Sequence, residues 1–506
     1  MLYRITSAAL HGIDAYPVEV ECDICAGFPT FVTVGLPDAA VRESKERVRA
    51  ALKNCGYDME SKRITVNLAP ADRRKEGSAF DLPIALGFLA FLGVVPAARL
   101  RDYLFAGELA LDGRLKPVRG ALPVALMARR AGFRGVVVPG ANAREAALVR
   151  GLEVYALEDL VRVVRLLREP GEVAPCRFDE AELVAPADYP VDFEDVKGQQ
   201  HVKRALEVAA AGAHNVLMVG PPGAGKTMLA RRLPTILPDL SYDEMLEVTR
   251  VYSAAGLLAG SGTVGTRPFR APHHTVTDAG LVGGGLVPKP GEVSLAHRGL
   301  LFLDELPEFK RRVLEDLRQP VEDGRVTVAR SGYSVTFPAA FMLVAAMNPC
   351  ADVRRGLLGK GADCTDSEKA RYYAKISGPL LDRIDIQLDV PEVRFRDIVS
   401  RTPAESSAAI RARVTRARER QAARFAGRRV FANAQMGPKE VKQFCALPDE
   451  AERLLETAVT KLGFSARAFD RVLKVARTIA DLEGSEALAT AHVSEAVQYR
   501  MMDRLR

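Results

Sequence analysis

The sequence contains no apolar run long enough to cross a membrane. Its longest, Pro83 to Ala98, falls short of about 20 residues and is broken by glycine and proline, so it reads as a buried helix. The N-terminal residues do not read as a signal peptide, because Arg4 is followed by mixed polar sequence. Seven cysteines scattered through 506 residues form no disulfide pattern, which points to a reducing cytoplasm. The lone Cys22-x-x-Cys25 pair lies in a strand-like segment and reads as structural rather than as a metal or redox site. Short-period repeats and low-complexity tracts are absent as well. These absences leave a cytoplasmic, globular chain with no membrane partner, long enough for about three to four domains. At 48% hydrophobic residues it can fill several cores.

The net charge is +7, and the segment from Arg396 to the end carries all of that excess, with 21 Lys and Arg against 14 Asp and Glu. Arg413, Arg416, Arg420 and Arg424 follow helical spacing and share one face. Ile410, Val414, Ala417 and Phe425 lie on another. Two readings stay open: a solvated face over an apolar stripe, or a surface for nucleic-acid phosphate.

Composition divides the chain. Residues 1–168 alternate strands and helices, with strands expected at Ile64 to Leu68 and Gly135 to Pro139 and a helix from Phe80 to Leu92. Residues 169–190 hold five prolines and glycines among acids and read as a linker. Residues 191–393 form a second α/β unit, and 394–506 a mostly helical third.

The second unit carries the strongest signal. Gly220-Pro221-Pro222-Gly223-Ala224-Gly225-Lys226-Thr227 follows an apolar strand, Asn215 to Val219, and opens a helix at Met228. Glycines let backbone N–H groups approach phosphate oxygens, and the helix N-terminus adds partial positive charge. Lys226 can reach the β- and γ-phosphates, and Thr227 can ligate Mg²⁺. Downstream, Gly299-Leu-Leu-Phe-Leu-Asp304-Glu305 is a buried strand ending in two acids. Asp304 can hold Mg²⁺ through water, and Glu305 can polarise the attacking water. Phe341 to Asn348 is another apolar strand, whose terminal amide can orient that water. Arg383, in Gly378-Pro-Leu-Leu-Asp-Arg383-Ile-Asp385, can act as an arginine finger on a neighbouring subunit. Arg467 and Arg471 lie on a later helix from which either can fold back onto the nucleotide.

In this order the motifs resemble an AAA+ ATPase. Asp192 to Gln199, with Val196 and Gly198, resembles the segment that cups adenine in that superfamily. Arg267-Pro-Phe-Arg-Ala-Pro-His-His274, Leu281 to Gly285 and Pro290 to Arg298 resemble its magnesium-chelatase-like branch. With the first unit included, the whole chain resembles the bacterial ComM/YifB family. The resemblance implies a parallel-sheet ATPase domain, a helical lid bearing Arg467 as sensor, ATP and Mg²⁺ as cofactors, and a homo-hexameric ring. It also implies branch migration of single-stranded or branched DNA during natural transformation, with recombination proteins as partners. The alternative is a chaperone-like remodeller of the magnesium-chelatase type.

Substrate contacts are expected from two segments. The glycine-bearing insert near 256–298 offers Lys289, and a hairpin around Ser331-Gly332 offers Arg330 and Tyr333, a cation and an aromatic suited to gripping a strand. His273 and His274 lack a third metal ligand and read as packing or nucleotide-loop residues. The family resemblance implies four cysteines after the Asn strand in many relatives, where this chain keeps Cys350 and Cys364, so no structural zinc is expected. Residues 1–168 resemble the Lon-protease-like domain, an α+β fold of the ribosomal S5 domain 2 type. Lys75-Glu-Gly-Ser78 matches the loop bearing the catalytic serine. The lysine position falls at Val124, which carries no base, so no peptidase activity is expected.

Overall fold

The computed structural model describes residues 2–28, 30–57, 62–177, 189–258, 262–285, 287–330, 333–352, 364–398, 404–428, 430–462 and 464–500. It contains two compact units. One comprises Met1–Ala185 with Ser241–Gly265, the other Pro186–Leu240 with Thr266–Arg506.

The first unit is built on a sheet in the order Leu2–His11, Asp14–Ala26, Lys62–Ala69, Thr30–Val34. The first three strands are antiparallel, and Thr30–Val34 runs parallel to Lys62–Ala69. The long apolar run forms the helix Asp81–Phe91, in which every residue from Asp81 to Ala90 is buried. A burial that complete leaves no amphipathic stripe, as expected for a helix in the middle of a core. Tyr103–Phe105, Gly135–Pro139 and Glu153–Leu157 make a second, parallel sheet.

The helix Tyr242–Ala255 also belongs to this unit, although the sequence places it within the phosphate-loop unit. A capping box of Ser241 and Glu244 starts it and Gly256, at φ 72°, ends it. Gly120 N–H donates to Ser253 O, and the Ser253 hydroxyl donates to the buried Glu145 carboxylate. Only 266–298 of the expected insert therefore lies in the second unit.

The second unit is organised by a five-stranded parallel sheet in the order Phe269–Arg270, Leu300–Leu303, Met342–Met347, Val216–Val219, Ile386–Asp389. Val216–Val219, Leu300–Leu303 and Met342–Met347 are apolar runs, as strands buried on both faces require, while the edge strand Ile386–Asp389 carries Gln387 and an exposed Asp389. The later helices Ser407–Arg424, Asp449–Leu462, Ala466–Glu483 and Thr490–Gln498 share one hydrophobic core with this sheet. In the arginine-rich helix four arginines have partners within the chain. Arg413 pairs with Glu207 and Glu405, Arg424 with Asp481, and Arg418 and Arg420 donate to the carbonyls of Ala210 and Asp481. Arg416 is exposed.

The expectation of no disulfide is corrected by Cys350 and Cys364, which are bonded to each other. The chain closes a loop of 14 residues there, directly after Asn348-Pro349. The other five cysteines are free thiols. Among the described residues no helix is long and apolar enough to cross a membrane.

Candidate nucleotide site

The phosphate loop lies between the central strand Val216–Val219 and the helix Lys226–Arg232. Gly225 has φ 88°, a left-handed conformation that a side chain would strain, and it turns the chain into the helix. Gln199, itself left-handed at φ 51°, braces the loop from outside: its Nε2 donates to Ala224 O and Pro391 O, both at 2.9 Å. In the sequence Gln199 stands only at the end of the segment resembling the one that cups adenine.

Lys226, Thr227, Asp304, Glu305 and Asn348 line one cavity of about 410 Å³. The Lys226 ammonium donates to Gly220 O at 2.6 Å, Pro221 O at 2.8 Å and Asn348 Oδ1 at 2.9 Å. Burial lowers its pKa, opposed by the charges of Asp304 and Asp352. Thr227 Oγ1 donates to Asp304 Oδ2 at 2.6 Å. This hydroxyl and carboxylate form the hard-oxygen donor set that Mg²⁺ takes, so the residues present fit that ion.

Parallel strand order explains the convergence. Leu300–Leu303 and Val216–Val219 flank Met342–Met347, so Asp304, Asn348 and the phosphate loop all leave the sheet at its carboxyl end. Glu305 follows with φ 52°, unusual for a residue with a side chain, a strain of about 1–3 kcal/mol that tends to sit at functional positions. The Glu305 N–H donates to Asp304 Oδ1 at 3.0 Å, and its carboxylate lies 3.3 Å from His274 Nδ1.

Val196 is fully buried in the core, and its carbonyl accepts from Lys203 Nζ at 2.5 Å. Gly198 is partly buried, and a Cβ there would lie 3.2 Å from Asp397. Arg383 and Arg467 are not among the residues lining the cavity. Arg383 pairs with Glu322 and donates to Pro379 O at 2.7 Å. Arg467 is 68% exposed and 3.7 Å from Asp382.

A buried network unseen in the sequence ties the Arg383 turn to the helices behind it. His214 Nδ1 is 3.0 Å from Asp385 Oδ2, and its Nε2 is 2.8 Å from Thr478 Oγ1. Arg471 adds a contact to Asp385 at 3.4 Å and one to Ile384 O. Burial pushes the Asp385 carboxyl up, but the His214 hydrogen bond and the charges of His214, Arg471 and Lys474 outweigh it and hold the group below its usual value. Of the expected substrate residues, Lys289 is exposed on a two-stranded ribbon, Gly283–Gly284 with Lys289–Pro290. Arg330 and Tyr333 pair across the end of the hairpin Arg325–Arg330 and Tyr333–Pro338. Their side chains, and the turn Ser331-Gly332, lie outside the described residues.

A phosphate loop, a strand ending in Asp-Glu, a strand ending in Asn and a parallel sheet define a mixed α/β protein of the magnesium-chelatase-like AAA+ class. Residues 192–398 match the family described as magnesium chelatase, subunit ChlI. Residues 20–142 match subunit ChlI of Mg-chelatase, and 404–500 its C-terminal part. The chain is 44% identical over 502 residues to YifB of Escherichia coli (strain K12), covering 99% of this chain and 97% of that one. It is 43% identical over 504 residues to the competence protein ComM of Haemophilus influenzae, covering 99% and 98%. The magnesium-chelatase 38 kDa subunit of Rhodobacter capsulatus is 26% identical over 341 residues, 62% of this chain and 87% of that one. The chain belongs to the ComM/YifB family.

Proposed function

We propose that the protein hydrolyses ATP and uses the cycle to move single-stranded or branched DNA. It does so as a cytoplasmic homo-hexamer performing branch migration in homologous recombination, alongside recombination proteins, during natural transformation. The convergence of Lys226, Thr227, Asp304, Glu305 and Asn348 on one cavity is the observation that carries the hydrolytic part.

Lys226 exchanges its loop carbonyls and the Asn348 amide for phosphate oxygens. Thr227 and Asp304 would hold Mg²⁺, which when bound neutralises charge developing on the phosphates. Asn348, released from Lys226, orients the attacking water, and Glu305 polarises it and receives its proton. Arg383 completes the site of a neighbouring subunit, and Arg467 reports nucleotide from the helical lid, residues 394–506.

The DNA part rests on the relation to ComM and on Lys289, Arg330 and Tyr333. The arginine-rich helix lends it less, since Arg413, Arg418, Arg420 and Arg424 have partners within the chain. Residues 1–168 serve as a Lon-protease-like domain without peptidase activity. Val124 is buried and apolar, Ser78 donates to the Glu108 carboxylate, and Lys75 donates to Pro70 O. The second reading, a remodeller of protein complexes, is favoured by the magnesium-chelatase match over the ATPase unit.

A branched-DNA unwinding assay with ATP tests the proposal, with Lys226→Ala as control. Unwinding by the wild type alone supports the motor. ATP hydrolysis with no unwinding and no stimulation by any DNA form would favour the remodeller.

A further inference from the structure

We propose that His214 is a positioning residue for Arg383. It fastens the turn that offers this arginine to a neighbouring subunit onto the helix Ala466–Glu483 of its own chain. This rests on the ATPase reading above and on Arg383 acting between subunits.

An arginine that completes a neighbour's site is only as well placed as the turn that carries it. Asn215 holds that turn from one side. Its Nδ2 donates to Arg383 O at 2.9 Å, and its carbonyl accepts from the N–H groups of Asp385 and Ile386, both at 3.0 Å. Asn215 leads directly into Val216–Val219, so the turn is registered against the strand that carries the phosphate loop.

The helix Ala466–Glu483 holds the turn from the other side, at three levels. Arg467 lies 3.7 Å from Asp382, Arg471 reaches Ile384 O and Asp385, and Thr478 reaches Asp385 through His214. The outermost contact is exposed and contributes little by itself. His214 is the innermost and is fully buried. The ionised Asp385 can only accept, so Nδ1 donates to it at 3.0 Å and leaves Nε2 for Thr478 Oγ1 at 2.8 Å. The ring packs directly on Gly212, where a Cβ would stand 2.2 Å from Nε2. Arg467 and Thr478 share one helix, so a lid movement that follows the nucleotide is carried into the turn and on to the arginine presented next door. Without the imidazole the buried link between lid and turn is gone.

The test measures ATP affinity and steady-state hydrolysis for His214→Ala, His214→Asn and Thr478→Val, alone and mixed with Lys226→Ala subunits. Misplacement of a reacting group costs up to about 10²-fold, so His214→Ala should lower kcat by about 10- to 10²-fold with ATP affinity kept. Asn keeps an N–H facing Asp385 and should recover most of the rate. Thr478→Val removes only the hydroxyl and should lose about twofold to tenfold, the worth of one hydrogen bond. A Lys226→Ala subunit has a disabled loop but an intact Arg383 turn, so mixing should restore part of the rate to His214→Ala, as to Arg383→Ala. A His214→Ala chain with wild-type kcat or with weakened ATP binding would overturn the proposal. So would a chain that mixing fails to rescue while Arg383→Ala is rescued. If His214→Ala does not fold, Thr478→Val mixed in the same way decides. No rescue of Arg383→Ala itself would sink the intersubunit arginine and this inference with it, and a wild-type chain that hydrolyses no ATP would sink the ATPase reading.

Discussion

Lys226 Nζ donates to Asn348 Oδ1 at 2.9 Å, joining the phosphate loop to the polar end of the adjacent strand. The ammonium is otherwise satisfied by two loop carbonyls, all neutral partners. A phosphate oxygen offers a charged acceptor and a stronger bond, so ATP should separate the pair. Asn348→Ala is expected to keep ATP binding, since the loop keeps its shape and Lys226 still turns to the phosphates. The kcat should fall by about 10²-fold, the usual cost of one polar group aimed at the reacting centre. Nucleotide titration with steady-state kinetics checks both parts.

Glu305→Gln preserves the size of the side chain and removes its basicity. Hydrolysis should slow by about 10²–10⁴-fold while ATP still binds, leaving the chain trapped with nucleotide. Rapid turnover by this variant, followed by phosphate release, would assign the base elsewhere.

Arg383 pairs with Glu322 in its own chain, so a role at a neighbour's nucleotide requires it to leave that partner. Arg383→Ala should bind ATP and lose turnover by about 10³-fold, the lower range for an arginine finger. Mixed with Lys226→Ala subunits it should recover part of the activity, because composite sites then carry one intact loop and one intact Arg. Absence of any recovery across mixing ratios would argue that Arg383 acts within its own subunit.

The phosphate loop and the three strands that carry the site were legible because each is a local pattern. Val216–Val219, Leu300–Leu303 and Met342–Met347 are short apolar runs, each ending at a residue that carries chemistry. Contacts between distant segments were not. Arg413 reaches Glu207 and Arg424 reaches Asp481, which lie 206 and 57 residues away, and no charge count reveals such pairs. Ser241–Gly265 sits between two segments of the ATPase unit in sequence, and only tertiary packing assigns it to the other unit. Cys350 and Cys364 looked like remnants of a metal site because spacing alone cannot show that two thiols meet. The sequence offers His274 as a packing or nucleotide-loop residue without naming Glu305, since that contact depends on two neighbouring strand ends.

Lys289 offers a direct test of DNA contact. If it neutralises one phosphate, Lys289→Glu should weaken single-stranded DNA binding uniformly across sequences. The slope of log affinity against log salt should drop by about one. Binding measured at several salt concentrations decides this; an unchanged slope would remove Lys289 from the interface.

Asp81 gives the first unit a pH signature independent of nucleotide. Its carboxyl is fully buried, and burial pushes its pKa from 3.8 up to about 6, against the pull of Arg47 and the Leu109 amide. The folded chain thus holds the proton more tightly than the unfolded chain. The carboxyl then contributes stability below pH 3.8 that is lost as the pH rises to about 6, and is constant above. A difference of about two pH units corresponds to about 3 kcal/mol. Asp81→Asn removes the titration while keeping the shape. Hydrogen exchange in the helix Asp81–Phe91 of the full chain, wild type minus variant, should show wild-type protection falling between pH 4 and 6 relative to the variant, then levelling. A flat difference across that window would mean that Arg47 keeps the carboxylate ionised throughout.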